Sequence, residues 1–257
     1  MVTTNDSKVY RRRITGEERR TLVAPTFHIS LGLRLRGNIT EEALRNAVDK
    51  MLVTYPLLGT RIEWNDDSIH WSTTEGAAEV PVKVYDRESD ESWIDVLNLE
   101  HSIPLRLTKG PLTRFLLVKG TEKSELIVFC HHGISDGRSL QYALREVLFH
   151  LKDPDREPSV YPEAAPQTPE TIPEKFKLGR LRSAIISKVN QAWAEVKTEF
   201  DEEDLLNVWE AFWKNTEYKI ETIEFDRFSS LASSAPTILW FTVWVLALPI
   251  SCSRAPI

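Results

Sequence analysis

Cysteine is scarce in this sequence, since Cys130 and Cys252 are the only two in 257 residues. They lie far apart and form no CxxC pair or closely spaced framework, a pattern typical of proteins from a reducing compartment. The N-terminal region lacks an apolar segment as well, because the basic run Tyr10 to Arg13 leads into the charged stretch Gly16 to Arg20. No secretory signal is therefore predicted, and we expect a cytoplasmic protein.

Basic charge and long apolar runs are equally scarce. Lys and Arg together number 32 against 38 Asp and Glu, which gives a net charge of -6 at pH 7. A chain without a global positive field does not attract polyanions, so neither a nucleic-acid partner nor an anionic membrane is predicted. The segment Thr237 to Ile250 is apolar except for its threonines, but it is shorter than the ~20 residues that span a bilayer. We interpret it as a buried helix or strand rather than a membrane anchor.

Apolar residues make up 42% of the chain, enough to bury a large core in one big domain or two small ones. Apolar and polar residues alternate from Phe27 to Leu35, which is the period of a half-buried strand. Thr40 and the two glutamates after it predict the start of a helix, and Tyr55 before a proline predicts its end. Further strands are predicted at 60–64, 68–72, 80–85, 115–119 and 125–130, and further helices at 88–99 and 139–152. The pattern indicates an α+β fold of two layers, a mixed sheet covered by helices, with the last two strands in its middle.

Proline marks a predicted boundary after the last of these helices. Six of the fourteen prolines fall between Pro154 and Pro173, a composition that favours extended, semi-rigid linker structure. We therefore expect a first lobe over residues 1–152, a linker over 153–173 and a helical segment over 174–257. That last segment begins with a basic helical stretch, Lys175 to Lys188.

The run from His131 to Gly137, HHGISDG, carries the candidate chemistry. If the strand before it continues through both histidines, their side chains point to opposite faces. They could not then converge on one metal ion, and no metal site is predicted. His132 at the end of a buried strand would be held neutral, which is the form that accepts a proton from an alcohol or amine. At Gly137, the absence of a side chain lets backbone N–H groups approach a ligand.

The other polar residues of the run leave alternatives open. Asp136 either orients His132 or holds the loop through an arginine, and we favour the structural role. Ser135 and Ser139 lack a GxSxG turn or a second base, which disfavours a covalent acyl-enzyme. Both histidines could also be satisfied core residues, although the composite run favours a functional site over that interpretation.

With these residues the sequence resembles the acyltransferases that carry an HHxxxDG motif. This superfamily has a chloramphenicol acetyltransferase-like fold and includes alcohol and polyketide-associated acyltransferases, BAHD enzymes and the condensation domains of non-ribosomal peptide synthetases. The resemblance covers Phe27 to Lys152, through ISLGLRLRGNITEEALRNAVDKMLVTYPLLGTRI, HSIPLRLTKGPLTRFLLV and LIVFCHHGISDGRSL.

The resemblance implies that His132 deprotonates a small alcohol or amine, which attacks an acyl thioester of coenzyme A or of a carrier-protein phosphopantetheine arm. No cofactor would be tightly bound. His131 and Asp136 would support the site, Asp136 through an arginine, and Gly137 would keep the thioester path open. His132→Ala is then expected to abolish transfer and His131→Ala to change it little.

Two departures from the superfamily pattern affect the expected reaction. The segment Tyr55 to Arg61 is closer to the alcohol acyltransferase and BAHD style, which favours transfer to oxygen over transfer to nitrogen.

The family fold has two lobes, and here only Tyr218 to Leu231 resembles the start of the second, since Ala232 to Ile257 is low in charge. We therefore expect an incomplete second lobe, truncated or frame-shifted there. The alternatives to this reaction are an inactive remnant or thioester-binding module, and a condensation-like peptide-bond former.

Overall fold

The structure is a computed structural model that describes residues 10–22, 28–65, 68–73, 79–161, 179–195 and 202–215. Its strands are β1 (Arg11–Arg13), β2 (His28–Arg36), β3 (Arg61–Asn65), β4 (Ser68–Ser72), β5 (Val82–Asp86), β6 (Thr113–Lys119) and β7 (Lys123–His131). Its helices are α1 (Gly16–Leu22), α2 (Glu41–Thr54), α3 (Ser92–His101), α4 (Gly137–Lys152), α5 (Arg180–Glu195) and α6 (Glu202–Lys214), with a 3₁₀ turn at Pro56–Gly59.

The larger sheet has four strands in the order β2-β7-β6-β5. β7 pairs antiparallel with β2 and β6, whereas β5 and β6 are parallel, so the sheet is mixed as predicted. The two central strands are buried over almost their whole length, because both faces of the sheet are covered. The predicted α+β class and the central position of these strands are confirmed.

Helices α2 and α4 pack against each other and cover one face of this sheet. The Thr40 hydroxyl caps α2 by accepting from the N–H of Ala43 at 3.2 Å, as the sequence predicts. Leu44, Val48 and Met51 of α2 are almost completely buried. Apolar residues of α2 and α4 at helical spacing thus supply one wall of the core.

A second sheet of three strands, in the order β1-β4-β3, lies beside the first. β3 and β4, both predicted as strands, pair antiparallel, and residues 66–67 between them lie outside the described residues. Ile62 donates its N–H to the carbonyl of Leu107 at 2.8 Å, which ties this sheet to the segment before β6. Neither β1 nor α1 was expected from the sequence, since both consist largely of charged residues.

The described start of the predicted linker packs on the first lobe. Lys50 of α2 donates to the carbonyl of Arg156 at 3.2 Å, and Tyr161 stacks on Tyr55 with ring centroids 6.4 Å apart. α5 is exposed at every described side chain. The segments 162–178, Tyr218 to Leu231 and Thr237 to Ile250 lie outside the described residues. Within the described ranges, no helix is long and apolar enough to cross a membrane.

Candidate functional site

The HHGISDG run forms the connection between β7 and α4. The strand ladder ends at His131, which is 2% exposed, and residues 132–134 form a turn in which His132 is half-buried. The turn is closed by the N–H of Ile134, which donates to the carbonyl of His131 at 3.1 Å. The strand alternation expected to continue to His132 therefore stops one residue earlier. The burial expected to keep His132 neutral falls on His131 instead.

A second hydrogen bond fixes the turn from the side of His131. Its Nδ1 accepts from the backbone N–H of Gly133 at 3.0 Å. Only a neutral imidazole offers a ring acceptor, so this bond requires an unprotonated Nδ1. Burial, with a smaller effect of neighbouring His132, lowers the pKa of His131 to about 4. His131 is therefore a neutral acceptor that holds the backbone on both sides of His132.

His131 belongs to an aromatic layer on this face of the sheet. His28 lies opposite it on β2, and the His28 ring centroid is 4.9 Å from that of Phe129 and 4.4 Å from that of Trp209 of α6. Burial is the main cause that lowers the pKa of His28 well below its ordinary value. His101 packs edge-on to Phe129 at 4.7 Å, and burial followed by the charge of Arg114 lowers its pKa to about 4. The histidine rings of this layer are therefore uncharged near neutral pH.

A buried ion cluster supports this layer from the β5 and β6 side. The Glu100 carboxylate is completely buried and lies 2.8 Å from Arg114 Nε and 2.7 Å from Lys83 Nζ. The Tyr85 hydroxyl donates to the same carboxylate. The Arg114 guanidinium also lies 4.5 Å from the centroid of the Phe129 ring. A buried carboxylate needs such partners, and here they lock α3 to the strands that carry the site.

Asp136 is the N-cap residue of α4. Its carboxylate accepts from the N–H of Ser139 at 2.7 Å, and this hydrogen bond is the main cause that lowers the pKa of Asp136. Among the described residues it forms no ion pair with an arginine, which differs from the arginine-held loop that the resemblance implies. The carboxylate thus orders the helix that follows the turn.

Gly137 and the two serines of the run occupy different environments. Gly137 begins α4, and a Cβ built on it meets nothing within 4 Å, so open space lies beside it. Ser135 is 8% exposed, and its hydroxyl donates to the carbonyl of Asp136 at 3.2 Å. Ser139 meets Asp136 through its backbone N–H. Both serines therefore form hydrogen bonds with neighbouring residues of the same run, Ser135 through its hydroxyl and Ser139 through its backbone N–H.

Two cavities lie on the His131 side of the sheet. One, of about 20 Å³, is lined by His131 together with apolar residues of α1, α6 and the segment before β6. It has room for about one water molecule. An open groove of about 520 Å³ adjoins it and is lined by Trp209 and Trp213 of α6 and by Arg106. Neither cavity is lined by His132.

Several residues of this site were not anticipated from the sequence. His28 could have been suspected, because a histidine begins a strand whose antiparallel pairing brings it opposite His131. Gly133 lies within the HHGISDG run, but no local pattern assigns it a role. Thr21, whose hydroxyl oxygen lies 2.6 Å from a Cβ built on Gly133, and Trp209 come from helices outside the stretch that carries the resemblance, and no local pattern connects them to it.

The segment that carries the candidate site matches a known protein family. The family model described as Condensation domain matches residues 24–151. The nonribosomal peptide synthetase kk1B of Curvularia clavata is 28% identical over 127 residues, which are 48% of this chain and 1% of that protein. The chain therefore spans a very small part of such relatives. The match falls in the condensation branch, whereas the Tyr55 to Arg61 segment had favoured the alcohol acyltransferase style.

Solved structures give the same result for the fold. Tallysomycin biosynthesis protein TlmII is 25% identical with a TM-score of 0.50, over 57% of this chain and 39% of that one. The starter condensation domain of rhizomide synthetase RzmA, 16% identical, has a TM-score of 0.50 over 58% of this chain and 40% of that one. Residues 24–151 of this chain therefore belong to the condensation-domain family and form the N-terminal lobe of its chloramphenicol acetyltransferase-like fold.

Proposed function

We propose that this chain transfers an acyl group from a thioester to an alcohol or amine, with His132 as the general base. The observation that carries the proposal is the position of His132 in the turn between β7 and α4. The hydrogen bond from Gly133 to His131 holds one side of this turn, and the Asp136 cap holds the other. A half-buried imidazole on a fixed turn can reach a substrate while its backbone stays in place.

The proposed step needs only a proton acceptor and a thioester. A ring nitrogen of His132 takes the proton of the acceptor O–H or N–H as the acceptor attacks the thioester carbonyl carbon. The tetrahedral intermediate then collapses, the C–S bond breaks, and the imidazolium returns the proton to the thiolate. The open space beside Gly137 leaves room for the thioester arm.

The donor and acceptor classes follow from the family and from the relatives. Peptide synthetase relatives favour a carrier-protein phosphopantetheine thioester and an amine acceptor, whereas the Tyr55 to Arg61 segment favours an alcohol. An acyl-CoA presents the same pantetheine thioester in soluble form. We therefore include both donors and both acceptor classes in the test.

The test uses the whole chain with acyl-CoA and acyl-pantetheine thioesters of several lengths, each mixed with alcohols or amines. Product mass and release of free thiol are measured for the wild type, His132→Ala and His131→Asn. Loss of the general base should reduce the rate by about 10²- to 10⁴-fold. His131→Asn should retain most of the activity, because the Asn side-chain oxygen can replace Nδ1 as acceptor for the Gly133 N–H. Equal loss in the two variants would show that the base has been assigned to the wrong residue.

A second candidate function is thioester binding without turnover. It is favoured by the absence of His132 from the lining of the two cavities described above. A base that lines no enclosed cavity neither excludes water from the reaction nor aligns donor with acceptor. Saturable binding of the acyl thioesters with no product at any acceptor concentration would support this candidate over catalysis.

A further inference from the structure

Helix α1 precedes the family-matched segment but reaches the candidate site. A Cβ built on Gly133 would lie 2.6 Å from the Thr21 hydroxyl oxygen and 3.0 Å from His131 Nδ1. The first distance is too short for a methyl group, and the second is at the tight limit of real side-chain contacts. The turn and α1 therefore meet at a separation that only glycine at position 133 allows.

Neither neighbour of Gly133 can move away without losing a bond. The Thr21 hydroxyl donates to the carbonyl of Glu18 at 2.6 Å, so a rotamer that made room would break this bond. Glu18 is itself held, because its carboxylate accepts from the Thr15 N–H at 2.8 Å and lies 2.6 Å from the Arg12 guanidinium. These bonds form the capped first turn of α1 and join it to β1.

The other neighbour, His131, is fixed by two constraints. Its ring is buried in the sheet layer, and its Nδ1 accepts from the N–H of Gly133 itself. A methyl group at position 133 would push this ring and the turn apart. Because the peptide of Gly133 begins at the carbonyl carbon of His132, such a displacement changes the direction of the His132 side chain.

We propose that Thr21 and Gly133 are positioning residues for His132. The close packing of α1, at Thr21, against the turn at Gly133 fixes the position of the turn on the sheet and hence the direction of the imidazole. This inference rests on the proposed function, because it assigns a purpose to a fixed His132. It adds Thr21 of α1 to the proposed acyl-transfer site, although this residue lies outside the condensation match.

The test is a size-compensation series in the full chain. Gly133→Ala should lower kcat by about 10- to 100-fold with little change in KM, since displacement of a reacting group by about 1 Å can cost 10²-fold. Gly133→Ala with Thr21→Ala should recover to within about threefold of Thr21→Ala alone, because the methyl group then occupies the vacated space. Gly133→Ala with Thr21→Ser should not recover, because serine retains the oxygen. Gly179→Ala is the matched control, since a Cβ there meets nothing within 4 Å.

Two further readouts separate positioning from loss of fold and from failure of the proposed function. The His132 ring resonances, measured by NMR, should shift in Gly133→Ala and return in the double variant with Thr21→Ala. The thermal midpoint measures folding in each variant. A loss of kcat fully explained by the unfolded fraction, or no recovery with Thr21→Ala, would overturn the proposal. A wild type without turnover would contradict acyl transfer, and the ring resonances would still decide the positioning role.

Discussion

At the scale of single residues, His131 and His132 are adjacent in sequence but differ in environment. His131 closes the ladder and is buried, whereas His132 lies in the half-buried turn. The hydrogen bond from Gly133 makes His131 a neutral acceptor. His131→Ala was expected from the resemblance to change little, but the structure predicts that it frees the Gly133 N–H and loosens the turn. His131→Asn is the variant that separates loss of the ring from loss of the acceptor.

The buried histidines predict how stability depends on pH. The pKa values of His101 and His131 are about 4 in the folded protein, against an ordinary 6.5 in an unfolded chain. As pH falls from about 6.5 to 4, the unfolded chain binds protons that the folded protein excludes, so stability decreases through this window. Above about pH 6.5 neither ring makes the stability depend on pH, and below about pH 4 the whole of this stability has been lost. Each ring should contribute on the order of 3 kcal/mol to the total loss.

Urea unfolding between pH 7.5 and 4 measures this effect, with His131→Asn as the comparison. Asparagine does not titrate, so the stability of the variant should fall less steeply over the window. Carboxylates titrate in both proteins, and the difference between the two curves removes their contribution. Parallel curves would contradict the buried, neutral state of His131.

At the scale of elements, Asp136 connects the turn to α4. As an N-cap it stabilises the helix through the Ser139 N–H, and an asparagine can make the same bond. Asp136→Asn should therefore retain both fold and activity, whereas Asp136→Ala should lower the free energy of unfolding by about 1 kcal/mol. Thermal or urea unfolding and the acyl-transfer rate are measured for both variants. If Asn reduces the rate as much as Ala does while stability is kept, the carboxylate charge acts on His132 and the cap is a secondary role.

Elements with a strong periodic pattern could be predicted from the sequence. The alternation from Phe27 and the Thr40 start signal correspond to β2 and α2 within one residue. The apolar runs that became β6 and β7 were correctly placed in the middle of the sheet. α3 begins at Ser92, four residues later than predicted, because residues 88–91 form a turn in which the Ser92 hydroxyl accepts from the N–H of Ser89 at 2.8 Å.

Other parts could not be predicted because tertiary contacts decide them. Nothing local distinguishes His131 from His132, since the pairing of β7 with β2, and not either residue type, decides where the ladder ends. The close approach of Thr21 to Gly133 joins residues more than one hundred positions apart. β1 and α1 are rich in charge and show no apolar period, and the ion pair of Arg12 with Glu18 joins them only in the folded chain.

At the scale of the whole molecule, α6 lies in the predicted third segment but packs on the first lobe. Its Trp209 is 3% exposed, and the indole N–H donates to the carbonyl of Ser102 at 3.0 Å. At the start of the helix, the Glu202 carboxylate accepts from the N–H of Thr108 at 3.3 Å. α6 therefore covers His28 and the aromatic layer beneath the HHGISDG turn.

The packing of α6 predicts a specific effect of removing its anchor. Trp209→Ala should destabilise the protein by about 3 kcal/mol, because it deletes a buried aromatic side chain and leaves the Ser102 carbonyl without its donor. Val208→Ala is the matched control, since Val208 is 51% exposed on the same helix and should change stability by less than about 0.5 kcal/mol.

The same Trp209→Ala variant should also raise the pKa of His28 toward the ordinary value, because water reaches the uncovered ring. NMR titration of the imidazole measures this change. If Trp209→Ala lowers stability while the pKa of His28 stays low, the sheet and not α6 is what keeps water from this ring. In that case α6 stabilises the protein but does not control the environment of the layer under the site.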